Sequence, residues 1–376
     1  MIALLSTLSL LLTGVYLFVL IYLITGWNAL KRPQLKLTGL TTRVTTLIAA
    51  RNEEEKIHLT INDISAQDYP KHLTEIIIVD DHSTDSTSAI IGSYAARGVQ
   101  LLQLNEDQPL NSYKKKAISE AIKLSAGELM VATDADCRMG TQWLSTIVGF
   151  YEAEHPLMIS SPVTYFEETT FFERIQTLEF NFLIGIGAAF IGHGRASTCN
   201  GANLAYRKDT FYEVGGFKGI DELASGDDEL LLQKVAARFP GSIGFLKKPA
   251  AIVYTHAKHT LKEFLQQRQR WASKSTKYKD KKVVALPVCI WLFNISLFAN
   301  ACLGFYDVYF FKLLLGQLAL KYVFEFIFLY PISSFFNRTR LMRLLPLLTT
   351  AHIIYFIYVG IMGNTRKYTW KGRVVR

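Results

Sequence analysis

The chain has 376 residues, half of them hydrophobic, with a net charge of +9 and four cysteines. That length permits two or three domains. Cys137, Cys199, Cys289 and Cys302 show no CxxC and no zinc-type spacing, which argues against a structural zinc site and fits a reduced compartment. Residues 1–30 carry no charged side chain. As a helix, Ile2–Thr25 is about 36 Å long, enough to span a bilayer. The basic start, short apolar core and cleavage site of a signal peptide are not evident. KRPQLK at 31–36 follows directly and predicts that this end lies in the cytoplasm.

Residues 44–50, VTTLIAA, read as a strand, and Ile57, Ile61 and Ile64 then recur at helical spacing. EIIIV at 75–79 is a second strand that ends in Asp80 and Asp81. HSTDSTSAIIGSYAARG is a helix led by Ser and Thr and closed by Gly98. A third strand at 99–104, a helix at 114–125 and a fourth strand at 128–133 follow. Strands alternating with helices predict a parallel sheet covered on both faces. Ligands of such sheets bind beyond the carboxyl ends of the strands. Arg51, Asp80, Asp81, Asp134 and Asp136 all fall at those ends.

Asp134 and Asp136 pose an electrostatic question. Two residues apart on an extended strand, their side chains lie roughly 6.6 Å apart on one face. At an effective dielectric near 20 they repel by roughly 3 kcal/mol, so a positive group is expected beside them. A lone D-x-D is weak evidence, because strand-end aspartates often cap helices. Several strand ends in register carry more weight. No G-x-G-x-x-G follows the first strand, which counts against NAD. GIGAAFIGHG at 185–194 reads as close packing or membrane-surface contact.

Further along, CNGANLAYRK at 199–208 enters a strand and offers Asn203 to a ligand. SGDDELLLQKV at 225–235 opens a helix with Asp227, Asp228 and Glu229. One carboxylate suffices to cap a helix, so three suggest another task. QQRQRWASK at 266–274 puts Gln267 and Arg270 on one helix face next to Trp271. An arginine grips phosphate with two bonds and a tryptophan offers a flat wall. His256 and His259 read as ordinary polar residues. KSTKYKDKK at 274–282 reads as a clamp on anionic lipid rather than a nucleic-acid site. Three apolar segments follow at 283–306, 308–332 and 344–365. Lys321 and Glu325 in the second are i,i+4 and can neutralise each other. One plus three full spans would put the basic tail opposite the soluble domain, against the positive-inside rule. Either one segment is re-entrant or interfacial, or the rule fails here.

These pieces together resemble membrane-anchored family 2 inverting glycosyltransferases of the GT-A fold, the group that includes ceramide glucosyltransferase, hyaluronan synthase and cellulose synthase. The matching stretches are IAARNEEEKI, IIIVDDHSTDST, TDADC, CNGANLAYRK, GDDE and QRQRW, which cover about residues 44–275. The resemblance implies an α/β, Rossmann-like GT-A domain at 40–275, a transmembrane helix at 1–30, about three membrane segments at 283–365 and a basic tail at 366–376. It implies that Arg51, Glu53 and Asp81 meet the base and ribose of a nucleotide-sugar, with Asp80 beside them. Lys114 or Lys115 falls where the family has Gly-Lys. Asp134 and Asp136 match the D-x-D pair that holds the donor and its Mg²⁺ or Mn²⁺, a cation that prefers carboxylate and phosphate oxygens. Asp228 falls at the general base, with Asp227 its rival. Gln267, Arg270 and Trp271 match Q-x-x-R-W, which closes over the diphosphate and lines the acceptor.

The expected enzyme moves a sugar from a nucleotide-sugar, a UDP-sugar, to a lipid or glycan at the cytoplasmic face of the cell membrane, and binds no nucleic acid. A processive polysaccharide synthase, a non-catalytic nucleotide-sugar binding protein and a nucleotidyltransferase are the alternatives.

Overall fold

A computed structural model of the chain describes residues 2–106, 110–223, 225–272, 281–362, 368–370 and 373–375. The basic run at 274–280 and residues 366–367, 371–372 and 376 of the tail lie outside the described residues. The chain forms two compact units, one of Ala29–Glu167, Ile186–His256 and Thr369–Arg376, the other of Met1–Asn28, Glu168–Gly185 and Ala257–Tyr368.

The first unit is built on a seven-stranded sheet. In chain order its first strands are β1 (Val44–Ala50), β2 (Thr74–Asp80), β3 (Val99–Gln103) and β4 (Leu129–Asp134), with α2 (Ile57–Ser65), α3 (Thr87–Gly92) and α4 (Tyr113–Leu124) between them. All four strands are parallel; the central residues of β1, β2 and β4 are buried, whereas β3, at the edge of the sheet, is half-exposed beyond Val99. The register sets Ala50 opposite Asp80 and Ala49 opposite Asp134, so three carboxyl ends lie level.

The sheet then departs from the all-parallel expectation. After β5 (Arg138–Met139), α5 (Trp143–Glu154), β6 (Met158–Ser160) and β7 (Val163–Tyr165), strand β8 (Leu204–Arg207) pairs antiparallel to both β4 and β6. Strand β9 (Ile243–Phe245) closes the order β3-β2-β1-β4-β8-β6-β9. Strands β5, β7 and β10 (Val253–Thr255) make a small second sheet. The reversed strand delivers the CNGAN loop to the carboxyl end of β4, because β8 starts where β4 finishes.

The second unit is helical. It holds α1 (Ile2–Ala29), the first two-thirds of α6 (Phe171–Gly192), α9 (Leu261–Ala272), α10 (Lys281–Leu303), α11 (Val308–Phe335) and α12 (Leu345–Met362). Four segments are long and apolar enough to cross a membrane: Ile2–Ala29, Phe171–Gly192, Val308–Phe335 and Thr339–Ile361. Phe171–Gly192 is 67% buried against 22–28% for the others, so protein already covers most of it.

Contacts along these helices fix their directions. Ser9, Tyr16 and Trp27 of α1 meet Gln317, Glu325 and Phe335 of α11 in that order, so the two run parallel. Asn300 meets Ser9 and Phe293 stacks on Tyr16, so α10 runs the other way. Lys321 and Glu325 do pair, and their pair is buried. Tyr16 donates to Glu325 at 2.6 Å, and Thr349 donates to its other oxygen at 2.6 Å. Gly185 of α6 packs so closely that a Cβ there would lie 2.3 Å from Ile332, which bears out close packing at this end of its glycine run.

Candidate active site

Strand β4 hands the chain to the TDADC turn. The hydroxyl of Thr60, on α2, lies 2.8 Å from the carbonyls of both Ala135 and Cys137. Arg138 pairs with Asp63 at 2.6 Å. The backbone of the turn is thereby fastened to α2 while Asp134 and Asp136 remain partly exposed above it.

The positive group expected beside the aspartates is Lys114. Its ammonium lies 2.8 Å from Asp134 and 3.2 Å from Asp227. Burial works against its charge, but Asp134, Asp227 and then Asp228 outweigh that and raise its pKa well above the ordinary lysine value. Tyr206 of β8 lies close enough to feel the same charges. Burial, then Asp227, pushes its phenol above the ordinary tyrosine range.

Asp228 is the N-cap of α8 (Glu229–Arg238). One of its oxygens accepts from Glu229 N at 2.6 Å, the other from Gly201 N at 3.0 Å. Gly201 belongs to the CNGAN loop. A Cβ there would stand 3.2 Å from Asp228 Cβ and 3.3 Å from its Oδ2, closer than ordinary van der Waals contact, so glycine lets the loop lie tight against Asp228. Asp134, Lys114, Asp227, Asp228 and Gly201 are thus linked by direct contacts, although they come from four separate parts of the chain.

Two expected site residues have other work. Lys115 is 2% exposed and donates to the carbonyls of Ile220, Leu223 and Ser225. All three of its protons tie down the loop that leads to Asp227, so of the two neighbouring lysines only Lys114 is in the carboxylate cluster. Asn203 is fully buried. Its oxygen accepts from Trp143 at 3.0 Å, and its amide donates to Pro162 and Ala251 at 2.8 and 2.7 Å. It braces the core under the loop and does not face a ligand.

Near the ends of β1 and β2, Arg51 donates from one nitrogen to the carbonyls of Asp81 and His82 at 2.8 and 2.7 Å. Asp80 and Asp81 are 4% and 2% exposed, and Asp80 accepts from Ser83 N at 3.3 Å. The Glu53 N–H donates to the Thr87 hydroxyl at 2.8 Å. These contacts join the two loops beyond the strands.

Gln267, Arg270 and Trp271 are half-exposed on α9, in the helical unit. The residue among them that sequence reasoning passed over is Arg268. It is 3% exposed. Its guanidinium forms a two-bond pair with Glu179, donates to Gln267 Oε1 at 2.6 Å, and lies 4.3 Å from the centre of the Trp271 ring. Phe264 and Arg268 are the buried residues of α9 and are i,i+4, a spacing visible in the sequence. His259 Nδ1 lies 2.8 Å from Glu173, and the His256 ring packs on Phe166, so both have ordinary polar or aromatic surroundings.

Among the described residues no three His, Cys, Asp or Glu side chains converge on a point that would hold a metal. The aspartates of the TDADC turn are hard oxygen donors, and such a pair fits a small divalent cation only if a diphosphate and water complete the shell.

Residues 45–215 match the description Glycosyl transferase family 2. The chain is similar to beta-monoglucosyldiacylglycerol synthase of Nostoc sp. (strain PCC 7120), 29% identical over 121 residues, which is 32% of this chain and 26% of that protein. It is also similar to poly-beta-1,6-N-acetyl-D-glucosamine synthase of Staphylococcus aureus (strain COL), 24% identical over 247 residues, 64% of this chain and 56% of that protein. Among solved structures, mannosyltransferase PcManGT from Pyrobaculum calidifontis in complex with GDP-Man and Mn²⁺ has the same GT-A fold, with a TM-score of 0.61 at 18% identity over 93% of this chain and 99% of that one. The chain spans about half the length, or less, of the curated relatives it matches.

Proposed function

We propose that this chain, whose residues 45–215 are a glycosyl transferase family 2 domain, moves a sugar with inversion from a nucleotide-sugar to a lipid acceptor at the cytoplasmic face of a membrane. The observation that carries the reading is the cluster of Asp134, Asp227 and Asp228 around Lys114, set where the parallel strands end.

Each residue has a task in it. Arg51, Glu53, Asp80 and Asp81 hold the base and ribose side of the donor. Asp134 and Asp136 present oxygens to Mg²⁺ or Mn²⁺, which when bound offsets charge on the departing diphosphate. Lys114 keeps the carboxylates apart from one another electrically before the donor arrives, and turns to the diphosphate afterwards. Inversion needs a single base on the face opposite the leaving group. Asp228 serves as that base, accepting the acceptor hydroxyl's proton. The Gly201 and Glu229 N–H groups fix its orientation. Asp227 is the weaker candidate because the Lys114 ammonium already competes for it. Gln267, Arg270 and Trp271 serve the diphosphate and acceptor, with Arg270 adding positive charge.

A lipid acceptor is proposed over a growing polymer. The glucolipid synthase among the relatives supports it; the polysaccharide synthase supports the alternative. The deciding experiment incubates membranes carrying the full chain with a panel of radiolabelled nucleotide-sugars, then extracts lipid. Label in the organic phase is expected, lost on chelation of divalent metal and in Asp136→Asn and Asp228→Asn variants that melt normally. Label in a polymer would replace the lipid reading. Near-native turnover in both variants would overturn the site.

A further inference from the structure

The helical unit contains a second charged concavity. The segment Thr339–Leu344 joins α11 to α12 as a 3-10 turn. Together with the start of α6 it lines a cleft of about 700 Å³. Arg338, Arg340 and Arg343 of the joining segment and Arg174 of α6 face it, with Glu168 as the one carboxylate in its lining. Glu168 lies 3.6 Å from Arg338. No ion pair among the described residues engages Arg174, Arg340 or Arg343, so three guanidinium charges are left unbalanced. Phe171, also in the lining, is 54% exposed.

The cleft's place follows from the helix directions. It opens at the Phe335 end of α11, where Phe335 meets Trp27 at the close of α1. That end of α1 runs directly into Lys31, Arg32 and Lys36. Both α1 and α11 are long enough to cross a membrane, so the cleft sits where their apolar length runs out, at headgroup level.

We propose that this cleft binds the phosphate of an anionic membrane lipid. Guanidinium groups pair with phosphate by two parallel bonds, and basic recesses between membrane helices suit acidic headgroups. A volume of about 700 Å³ accepts a glycerophosphate headgroup and the start of its acyl chains. Phe171 supplies an apolar wall that a soluble anion would not use. The site shares no residue with the carboxylate cluster, and its test does not depend on sugar transfer.

The test places the full chain in nanodiscs of phosphatidylcholine containing a minority of phosphatidylglycerol, then counts retained lipids by mass spectrometry. Retained phosphatidylglycerol is expected to be enriched over its share in the bilayer. Arg340→Gln with Arg343→Gln should cut that enrichment by about tenfold or more. Arg174→Gln, on a different element, should cut it severalfold with an unchanged melting temperature. Lys71→Gln with Lys218→Gln removes equal charge elsewhere and should leave it intact. Equal enrichment in native and Arg340/Arg343 variants overturns the proposal. So does an equal loss in the Lys71/Lys218 control, or displacement of the lipid by millimolar inorganic phosphate.

Discussion

Lys114 and Lys115 are adjacent on one helix, yet substituting them should give opposite phenotypes. Lys115 is 2% exposed and spends its three protons on the Ile220, Leu223 and Ser225 carbonyls. In Lys115→Met the Ile220 and Leu223 carbonyls, near the surface, can take water. Ser225 is buried and its carbonyl cannot. One stranded buried acceptor and lost charge-assisted bonds cost about 2–4 kcal/mol after the relief of no longer burying an ammonium. For a unit of roughly 200 residues that lowers the melting temperature by about 4–16 °C. Lys114 differs. At its 2.8 Å contact with Asp134, a bare Coulomb estimate at effective dielectric 20 gives about 6 kcal/mol. Asp134 is 39% exposed, so solvent screening reduces the net worth to about 1 kcal/mol. Lys114→Gln should therefore melt within about 2–4 °C of the native chain. Its transfer rate should nonetheless fall by about 10²-fold or more, as for loss of one preorganised charge at a reacting centre. Differential scanning fluorimetry and initial-rate measurements on the same preparations separate the two. A Lys115→Met protein that melts like the native chain, or an early-melting Lys114→Gln, would refute this division of labour.

Gly201→Ala puts a methyl 3.2 Å from Asp228 Cβ and 3.3 Å from its Oδ2, so that carboxylate shifts by tenths of an ångström; turnover should drop about 10-fold to 100-fold with little change in melting, read by kcat against thermal midpoint. Arg268→Gln leaves Glu179, whose side chain is 5% exposed, without its ion-pair partner and should cost about 3–5 kcal/mol, while Glu179→Gln with Arg268→Gln recovers part of it in the same melting assay. Burial, and then Arg32, holds Lys247 down at about 8. Between about 8 and the ordinary 10.5 the folded chain has released a proton that the unfolded chain keeps, so stability rises as pH climbs through that window. Lys247→Met should melt at a pH-independent temperature there; a rise identical to the native one would exclude Lys247 as its source.

The parallel half of the sheet was legible because β2 and β4 are buried and read as apolar runs that stop at aspartates, with β1 and β3 spaced from them by helical segments. VTTLIAA coincides with β1 at Val44–Ala50. The direction of β8 was not legible. Hydropathy records that LAYR is buried, not which way it runs. The lysines of the KKK run could have been told apart: Lys115, Ile118 and Ile122 share a helix face, and that face is the buried one. Asn203 gave no such sign, since an asparagine in a small-residue loop looks the same whether it binds a ligand or a tryptophan. Arg268 carries no local sign of its pairing. Glu179, its partner, lies 89 positions away, beyond the reach of local pattern.

The buried Lys321–Glu325 pair bears on how this chain is made. Alone in a bilayer, mid-helix Lys or Glu each costs about 3 kcal/mol, so α11 is a reluctant entrant. Its relief comes from Tyr16, synthesised 309 residues earlier, and from Thr349, synthesised later. The first helix, already met by Asn300 and Phe293 of α10, must therefore stay near the insertion site until α11 and α12 emerge. A chain shortened at its start to remove an apparently dispensable anchor would lose the acceptor of that late arrival, and its defect would surface in the C-terminal helices rather than in the domain next to the cut.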